Sequence, residues 1–310
     1  RLVCERETEI ENFIPREYWS IHGEFKTPLE EDFSAVLTHL DGSKVGKMDI
    51  STEDQANGAV NAAMAQEFTV KSVDKKQARR HPSAPFTTST LQQEAARKLR
   101  FTTKRTMQVA QRLYEGIKLD GETVGLISYM RTDGVFISGE AINAARSLIG
   151  KKFGDKYVPQ EVLTYKSKAK NAQEAHEAIR PTDMFRQPKD VADFLDDDQK
   201  QLYQLIWNRT IASQMESVIL DQVSADIISE NGNIIFRATG STVIFDGFYK
   251  LYREGQDDKI KEDSEAERIL PQLTQDQLLK RRSISPEQHF TQPPPRFSEA
   301  SLVKKLEELG

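Results

Sequence analysis

His81-Pro82-Ser83-Ala84-Pro85 divides this sequence into two kinds of pattern. Two prolines within five residues disfavour both helix and strand, so the stretch marks a linker and a domain boundary. On its N-terminal side, Tyr18-Trp19-Ser20-Ile21-His22 and Phe33-Ser34-Ala35-Val36-Leu37 alternate as half-buried strands, broken at Lys26-Thr27-Pro28. Thr52-Glu53-Asp54-Gln55 then has the form of a capping box, opening a helix with Ala56, Val60, Ala63 and Met64 on one face. On its C-terminal side the period becomes helical. Leu91, Ala95 and Leu99 form one stripe, and Met107, Ala110 and Leu113 or Tyr114 another. Ile142, Ala145, Leu148 and Ile149 form a third behind a Ser138 cap. A further helix is expected from about Asp198 to Met215, with Asp196 to Asp198 at its N-terminus, where carboxylates suit the helix dipole. From Val218 to Arg253 the strand pattern returns, with turn residues such as Asn231-Gly232. The economical reading is a multidomain α+β chain. Residues 18–80 and 217–287 build a β-rich domain, and a mainly helical domain over 81–216 is inserted into it.

Composition narrows the class. The 310 residues are 37% hydrophobic and 29% charged, with a net charge of −5, a globular composition with a polar surface. No apolar run approaches the ~18 residues of a membrane span, and no signal-peptide pattern opens the chain. A single cysteine, Cys4, excludes an internal disulfide and a cysteine-rich zinc site and fits a reducing, cytoplasmic setting. The start at Arg1 without methionine and the end at Gly310 inside an amphipathic pattern read as cuts within a longer protein. Charge is uneven. Between Lys71 and Arg131 there are 13 Lys and Arg against five Asp and Glu, +8 in a chain of −5. Such a zone is either a solvated helical surface or an electrostatic footprint for phosphates. Residues 254–268 read as an acidic, mobile loop.

Three stretches carry chemistry. In Gly125-Leu126-Ile127-Ser128-Tyr129-Met130-Arg131-Thr132-Asp133-Gly134, an extended backbone projects Tyr129 and Arg131 from one face. A phenol with a reference pKa of about 10 is a poor nucleophile at neutral pH. A neighbouring guanidinium favours the phenolate and binds a phosphate in fork geometry. In Ala175-His176-Glu177-Ala178-Ile179-Arg180-Pro181, a helix stopped by the proline would place His176 and Arg180 on one face, able to hold two phosphate oxygens. In Gln292-Pro293-Pro294-Pro295-Arg296-Phe297-Ser298, a stiff entry leads to a helix capped by Ser298 and carrying Leu302, Val303 and Leu306. Singly, each stretch also fits a packed tyrosine, a helix end and a linker.

Taken in order, they resemble the type IA DNA topoisomerases, on the bacterial topoisomerase I branch. Arg1-Leu2-Val3-Cys4-Glu5-Arg6-Glu7 with Phe13-Ile14-Pro15 is similar to the family stretch leading from the DNA-binding domain into the toroid. Pro85 to Ala95 is similar to the opening of the nucleophile domain, and Gln111-Arg112-Leu113-Tyr114-Glu115 to the stretch before the active site. The Tyr-Met-Arg-Thr-Asp form favours topoisomerase I over topoisomerase III. Gly134 departs from the family, where many members have serine; it is expected to be a neutral turn position.

The resemblance implies a fragment of a toroid, with a β-rich arch (domain II-like, 18–80 and 217–287), a helical nucleophile domain (III-like, 81–216) and parts of a DNA-binding domain (IV-like, 1–17 and 288–310). It implies relaxation of negatively supercoiled DNA through a 5′-phosphotyrosine on Tyr129, with Arg131 steadying the scissile phosphate and His176 polarising the same region. Arg180, Arg97, Lys98, Lys104, Arg105 and Arg112 are the implied contacts to single-stranded DNA. The Mg²⁺ of the intact enzymes is bound by a Toprim domain. Neither an apolar strand running into an acidic-glycine-acidic turn nor an Asp-x-Asp at a strand end occurs here, so no metal site is expected in this chain and no relaxation by it alone. The expected partner is DNA, with no membrane, and the expected state a monomer. The alternatives are an inert single-stranded DNA-binding module, a tyrosine recombinase, whose basic catalytic set and late tyrosine fit poorly, and a structural interaction protein, which leaves the ordered motifs unexplained.

Overall fold

Alternation along residues 17–40 places every second side chain of the first two strands in one core. The computed structural model describes residues 1–119, 121–166, 176–255 and 269–309. They fall into two compact units, one drawn from 1–78, 220–244 and 260–296, the other from 79–219, 245–259 and 297–310. The chain has an α+β fold.

The first unit opens with α1 (Leu2–Glu11) and is dominated by a seven-stranded sheet. The strands are β1 (Glu17–Lys26), β2 (Asp32–Leu40), β3 (Ser43–Lys44), β4 (Phe68–Arg80), β7 (Val218–Ser229), β8 (Ile235–Phe245) and β9 (Leu278–Phe290), some of which run on into the second unit. Their order is β1-β9-β4-β7-β8-β2-β3, and β1 also pairs with β2, so the sheet closes on itself. Closure directs alternate residues into a filled interior. Ile21 and Phe25 of β1, Phe33, Ala35 and Leu37 of β2, Phe68 and Val70 of β4 and Phe236 of β8 are all buried there. Phe25 packs edge-on against Phe68 and Phe236 at 5.4 and 5.6 Å between centroids, the geometry in which aromatic quadrupoles attract. A side chain at Gly23 would come within 2.6 Å of the Phe25 ring, so the glycine makes room for this cluster. α2 (Glu53–Met64) buries Ala56, Ala59 and Ala63 against the same core. Its cap departs from the expected box. The Thr52 side chain accepts from the Gln55 N–H, but the Gln55 side chain bonds the Ser51 N–H instead of returning to Thr52. Met64 is exposed, and Ala59 takes its place on the buried face.

The second unit holds α3 (Thr88–Leu99), α4 (Thr103–Glu115), a hairpin of β5 (Ile117–Leu119) and β6 (Glu122–Val124), α5 (Gly139–Phe153), α6 (Pro188–Val191), α7 (Asp197–Ala212) and α8 (Glu299–Leu309). Thr87, Thr102, Ser138 and Asp196 each accept a backbone N–H of the first turn, which offsets the unpaired donors of a helix start. Ser298 does the same for α8 through Ser301 N–H. Leu91, Ala95, Val109, Ala110, Leu113, Leu202 and Ile206 form the packed interior, and Trp207 donates its indole N–H to the Met184 carbonyl at 3.0 Å. The β5–β6 hairpin interrupts a region expected to be helical. Of the acidic loop expected over 254–268, residues 256–268 lie outside the described residues. Among the described residues, no helix is long and apolar enough to cross a membrane.

Candidate active site around Tyr129

Between β6 and α5 the chain runs as an irregular segment, and its backbone is held from two sides. Leu126, Ile127 and Met130 are buried and anchor it. On one side, Ser128 N–H donates to Arg180 O at 2.8 Å, Ser128 Oγ donates to Ala178 O at 2.7 Å, and Arg180 N–H donates back to Ser128 Oγ at 2.9 Å. On the other, Thr88 at the start of α3 donates its hydroxyl to Met130 O at 2.7 Å and its N–H to Thr132 O at 2.8 Å, while Thr132 N–H donates to Thr88 Oγ1. Buried neighbours and bonded flanks leave Tyr129 pointing outward, with half of its surface exposed. The Tyr114 ring from α4 meets it edge-on, 5.3 Å between centroids at 67°, which restricts the phenol to part of its rotamer space. Tyr114 is therefore part of the site rather than an independent tyrosine. The sequence signal for it was its place beside Leu113 on the last turn of α4.

Other tyrosines of this unit are disqualified by their surroundings. Burial pushes the phenols of Tyr165, Tyr203 and Tyr252 up, and their hydroxyls are committed to Pro82 and Ser213 carbonyls, to Arg186 O and to the Glu94 carboxylate. Each would be a worse nucleophile than a free phenol.

Residues 176–182 are extended, not helical. Glu177 bridges Phe136, Ile179 bridges Phe86, and Pro181 bridges Ile127. The expected His176–Arg180 face on a helix is overturned. The i, i+4 spacing before a proline is met equally by a strand, and three partners distant in sequence supply its backbone bonds. Ala175 lies outside the described residues. In the extended form His176 sits beside the Tyr129 segment, with Nδ1 3.4 Å from Asp133 Oδ1 and half-exposed. Arg180 takes a different role. Its Nε and Nη2 donate to both Glu177 oxygens at 2.8 and 3.0 Å, and Nη1 donates to Pro181 O. With only 15% of its side chain exposed, it braces this segment. Glu177 also accepts from Ser138 N–H at 3.3 Å, beside the α5 cap.

Gly134 is not a neutral position. A Cβ there would lie 1.8 Å from the His176 carbonyl oxygen, so the close approach of the two segments needs glycine. This corrects the expectation drawn from the serine of many relatives.

Arg131 is exposed and, among the described residues, makes no side-chain hydrogen bond or ion pair. Of the expected cationic contacts, Lys104 is likewise exposed and unpaired among the described residues. Arg105 forms a fork with Asp198 at 2.7 Å, and Arg112 pairs with Asp196 at 2.9 Å; both arginines are about half exposed. Arg97 is mostly buried beside Glu94. Lys98 reaches the Arg253 carbonyl and lies 3.7 Å from the Tyr252 ring centroid, and burial lowers its pKa. Arg97 and Lys98 thus belong to an internal network in which Tyr252 O–H donates to Glu94 at 2.6 Å and Arg209 pairs with Glu254 at 2.5 Å.

Magnesium needs several oxygen donors in near-octahedral geometry. Among the described residues, the one cluster of three or more possible ligands is His22, Glu287 and His289, which is imidazole-rich. Around Tyr129 the carboxylates of Asp133 and Glu177 face His176 and Arg180. The residues present do not fit a magnesium site.

The comparisons agree on identity. The family profile described as DNA topoisomerase matches residues 1–310. The DNA topoisomerase 1 of Rickettsia bellii is 53% identical over 310 residues, covering 100% of this chain and 38% of the relative. That of Xylella fastidiosa is 48% identical over 314 residues, again covering 100% of this chain and 38% of the relative. The chain therefore spans about two fifths of the length of these curated relatives. The crystal structure of full-length topoisomerase I from Thermotoga maritima superposes with a TM-score of 0.77 at 32% identity, over 100% of this chain and 46% of the other. With a profile match from end to end, the chain belongs to the bacterial type IA DNA topoisomerase I family.

Proposed function

We propose that this chain is the nucleophile-bearing part of an enzyme that relaxes negatively supercoiled DNA in the cytoplasm, acting as a monomer. The observation that carries it is the exposed Tyr129 on a segment fixed by buried neighbours, two positions from an exposed Arg131. Tyr129 Oη attacks a phosphodiester of single-stranded DNA, and the bond from phosphorus to the 3′ oxygen breaks. The phenolic proton leaves to a base, and the leaving 3′ oxygen takes one up. The product is a 5′-phosphotyrosine and a 3′ hydroxyl, and the reverse attack reseals the strand with no net change in bonds. Arg131 would neutralise the phosphorane-like charge. His176, with Nδ1 turned to Asp133, would offer Nε2 to a phosphate oxygen.

In the same reading, residues 18–80 and 217–287 form the arch of a toroid and 81–216 the nucleophile domain. Residues 1–17 and 288–310 belong to the DNA-binding domain, and Mg²⁺ is held elsewhere in the intact enzyme. Lys104, Arg105 and Arg112 would meet the DNA backbone. Exposed ion pairs are weak, so phosphates can displace Asp198 and Asp196. Arg180, Arg97 and Lys98 would act indirectly, by holding the segments on which the contacts stand.

The test is a cleavage assay on single-stranded DNA by the whole enzyme, scoring the covalent adduct. Tyr129→Phe should abolish the adduct and leave binding intact. An adduct that survives in Tyr129→Phe would overturn the assignment.

A further inference from the structure

The closed sheet places a second group of reactive side chains on its outer face. In the β1–β9 register, Tyr18 stands opposite His289, Ser20 opposite Glu287 and His22 opposite Ser285. Residues two apart on a strand share a face, so all six project together, while Ile21 and Phe25 of the same β1 strand point into the core. Ser20 Oγ lies 2.8 Å from His22 Nε2 and 2.7 Å from His289 Nε2, and Glu287 Oε2 lies 3.3 Å from His22 Nε2. Tyr18 stacks on the His289 ring at 5.0 Å and 20°, and the Lys47 ammonium lies 5.2 Å from the Tyr18 ring centroid.

Proton accounting shows how this group is held together. Two imidazole Nε2 atoms converge on one hydroxyl that has a single hydrogen. One of the rings must therefore carry its proton on Nε2. The arrangement that satisfies every contact has His22 donating from Nε2 toward Ser20 Oγ and Glu287, and Ser20 donating to His289. Three donors of lone pairs thus face one small volume, with one ligand atom from each of His22, Glu287 and His289 within 4.8 Å of the others.

We propose that His22, Glu287 and His289 form a binding site for a divalent transition-metal ion of the zinc class. Two imidazole nitrogens and a carboxylate oxygen are a ligand set of that class, and bonds of about 2.0–2.2 Å put tetrahedral ligand atoms roughly 3.3–3.5 Å apart. The His22–Glu287 separation of 3.3 Å already matches, and the His289 ligand atom lies within 4.8 Å of both. The ion replaces the shared Nε2 proton, and water or Ser20 Oγ fills the fourth position. Bound there, it would bridge β1 and β9 and lock their register. The site is separate from the reaction at Tyr129 and stands whether or not that reading holds.

The 310-residue chain, stripped of metal, should bind one equivalent of Co²⁺ with visible d–d absorption, and Zn²⁺ should displace it. His22→Gln and His289→Gln should each weaken binding at least tenfold, and His39→Gln should not. Absence of saturable binding would overturn the proposal, as would binding that His289→Gln leaves unchanged. Carbethoxylation of the unsubstituted chain, read residue by residue by mass spectrometry, decides the matter if a variant fails to fold. Zn²⁺ should protect both His22 and His289 against it, and equal labelling with and without Zn²⁺ would refute the site.

Discussion

At the residue scale, a position that tolerates little change is Gly134, in the segment that carries Tyr129. The His176 carbonyl occupies the space where a Gly134 side chain would go. Gly134→Ser must therefore push two backbones apart, an overpacking cost of about 1–3 kcal/mol. We expect a lower thermal midpoint for this variant and, in the whole enzyme, slower cleavage with DNA binding retained, since His176 moves with its backbone. An unchanged midpoint would show that the segments are not in contact there. Tyr129→Phe is the opposite case, because it leaves the Tyr114 contact in place and removes only the hydroxyl proposed to attack.

At the element scale, the site depends on segments that meet without a regular sheet. Ser128 joins the Tyr129 segment to the His176 segment through two side-chain bonds. Ser128→Ala removes both and leaves the Arg180 N–H without that acceptor, so we expect a loss of about 1–3 kcal/mol in urea unfolding. A loss near zero would mean that the buried Leu126, Ile127 and Met130 suffice. The α4–α7 ion pair is expected to respond to pH. The Arg105 hydrogen bonds hold the Asp198 carboxyl below the usual carboxylate range. A depressed acid stabilises the fold fully above its unfolded pKa and loses that contribution as pH falls through the folded one. The midpoint gap between the unsubstituted chain and Asp198→Asn should thus be small, largest near neutrality, and should shrink in acid. A gap that widens on acidification contradicts the pairing.

At the scale of the whole molecule, the described residues hold no set of oxygen ligands suited to magnesium. We expect the 310-residue chain alone to leave supercoiled DNA unrelaxed with Mg²⁺ present. Relaxation in a gel assay by the purified chain would show that it holds catalytic groups beyond those proposed at Tyr129, Arg131 and His176. The +8 zone is moderated in the fold, because Arg105 and Arg112 meet acids from 196–198. A count along the chain therefore overstates the positive field at this surface.

Local signals were legible in the sequence alone. The caps at Thr52, Ser138 and Ser298 depend on a side chain and the backbone two or three residues on. The alternation of β1 and β2 and the stripes of α3 and α5 likewise rest on short-range periodicity. The ordered motifs carried the family, because a match of three distant stretches does not depend on how each one folds. Tertiary structure decided the rest. Residues 176–182 became extended because Phe86, Ile127 and Phe136 supply their bridges, and no window around Pro181 contains those partners. Arg180 turned inward to Glu177, and Tyr114 came to rest on Tyr129. His22 met His289 because β1 and β9, more than 250 residues apart, are neighbours in a sheet. Contacts between distant segments depend on which faces are buried together, and only the folded chain brings those faces into one place.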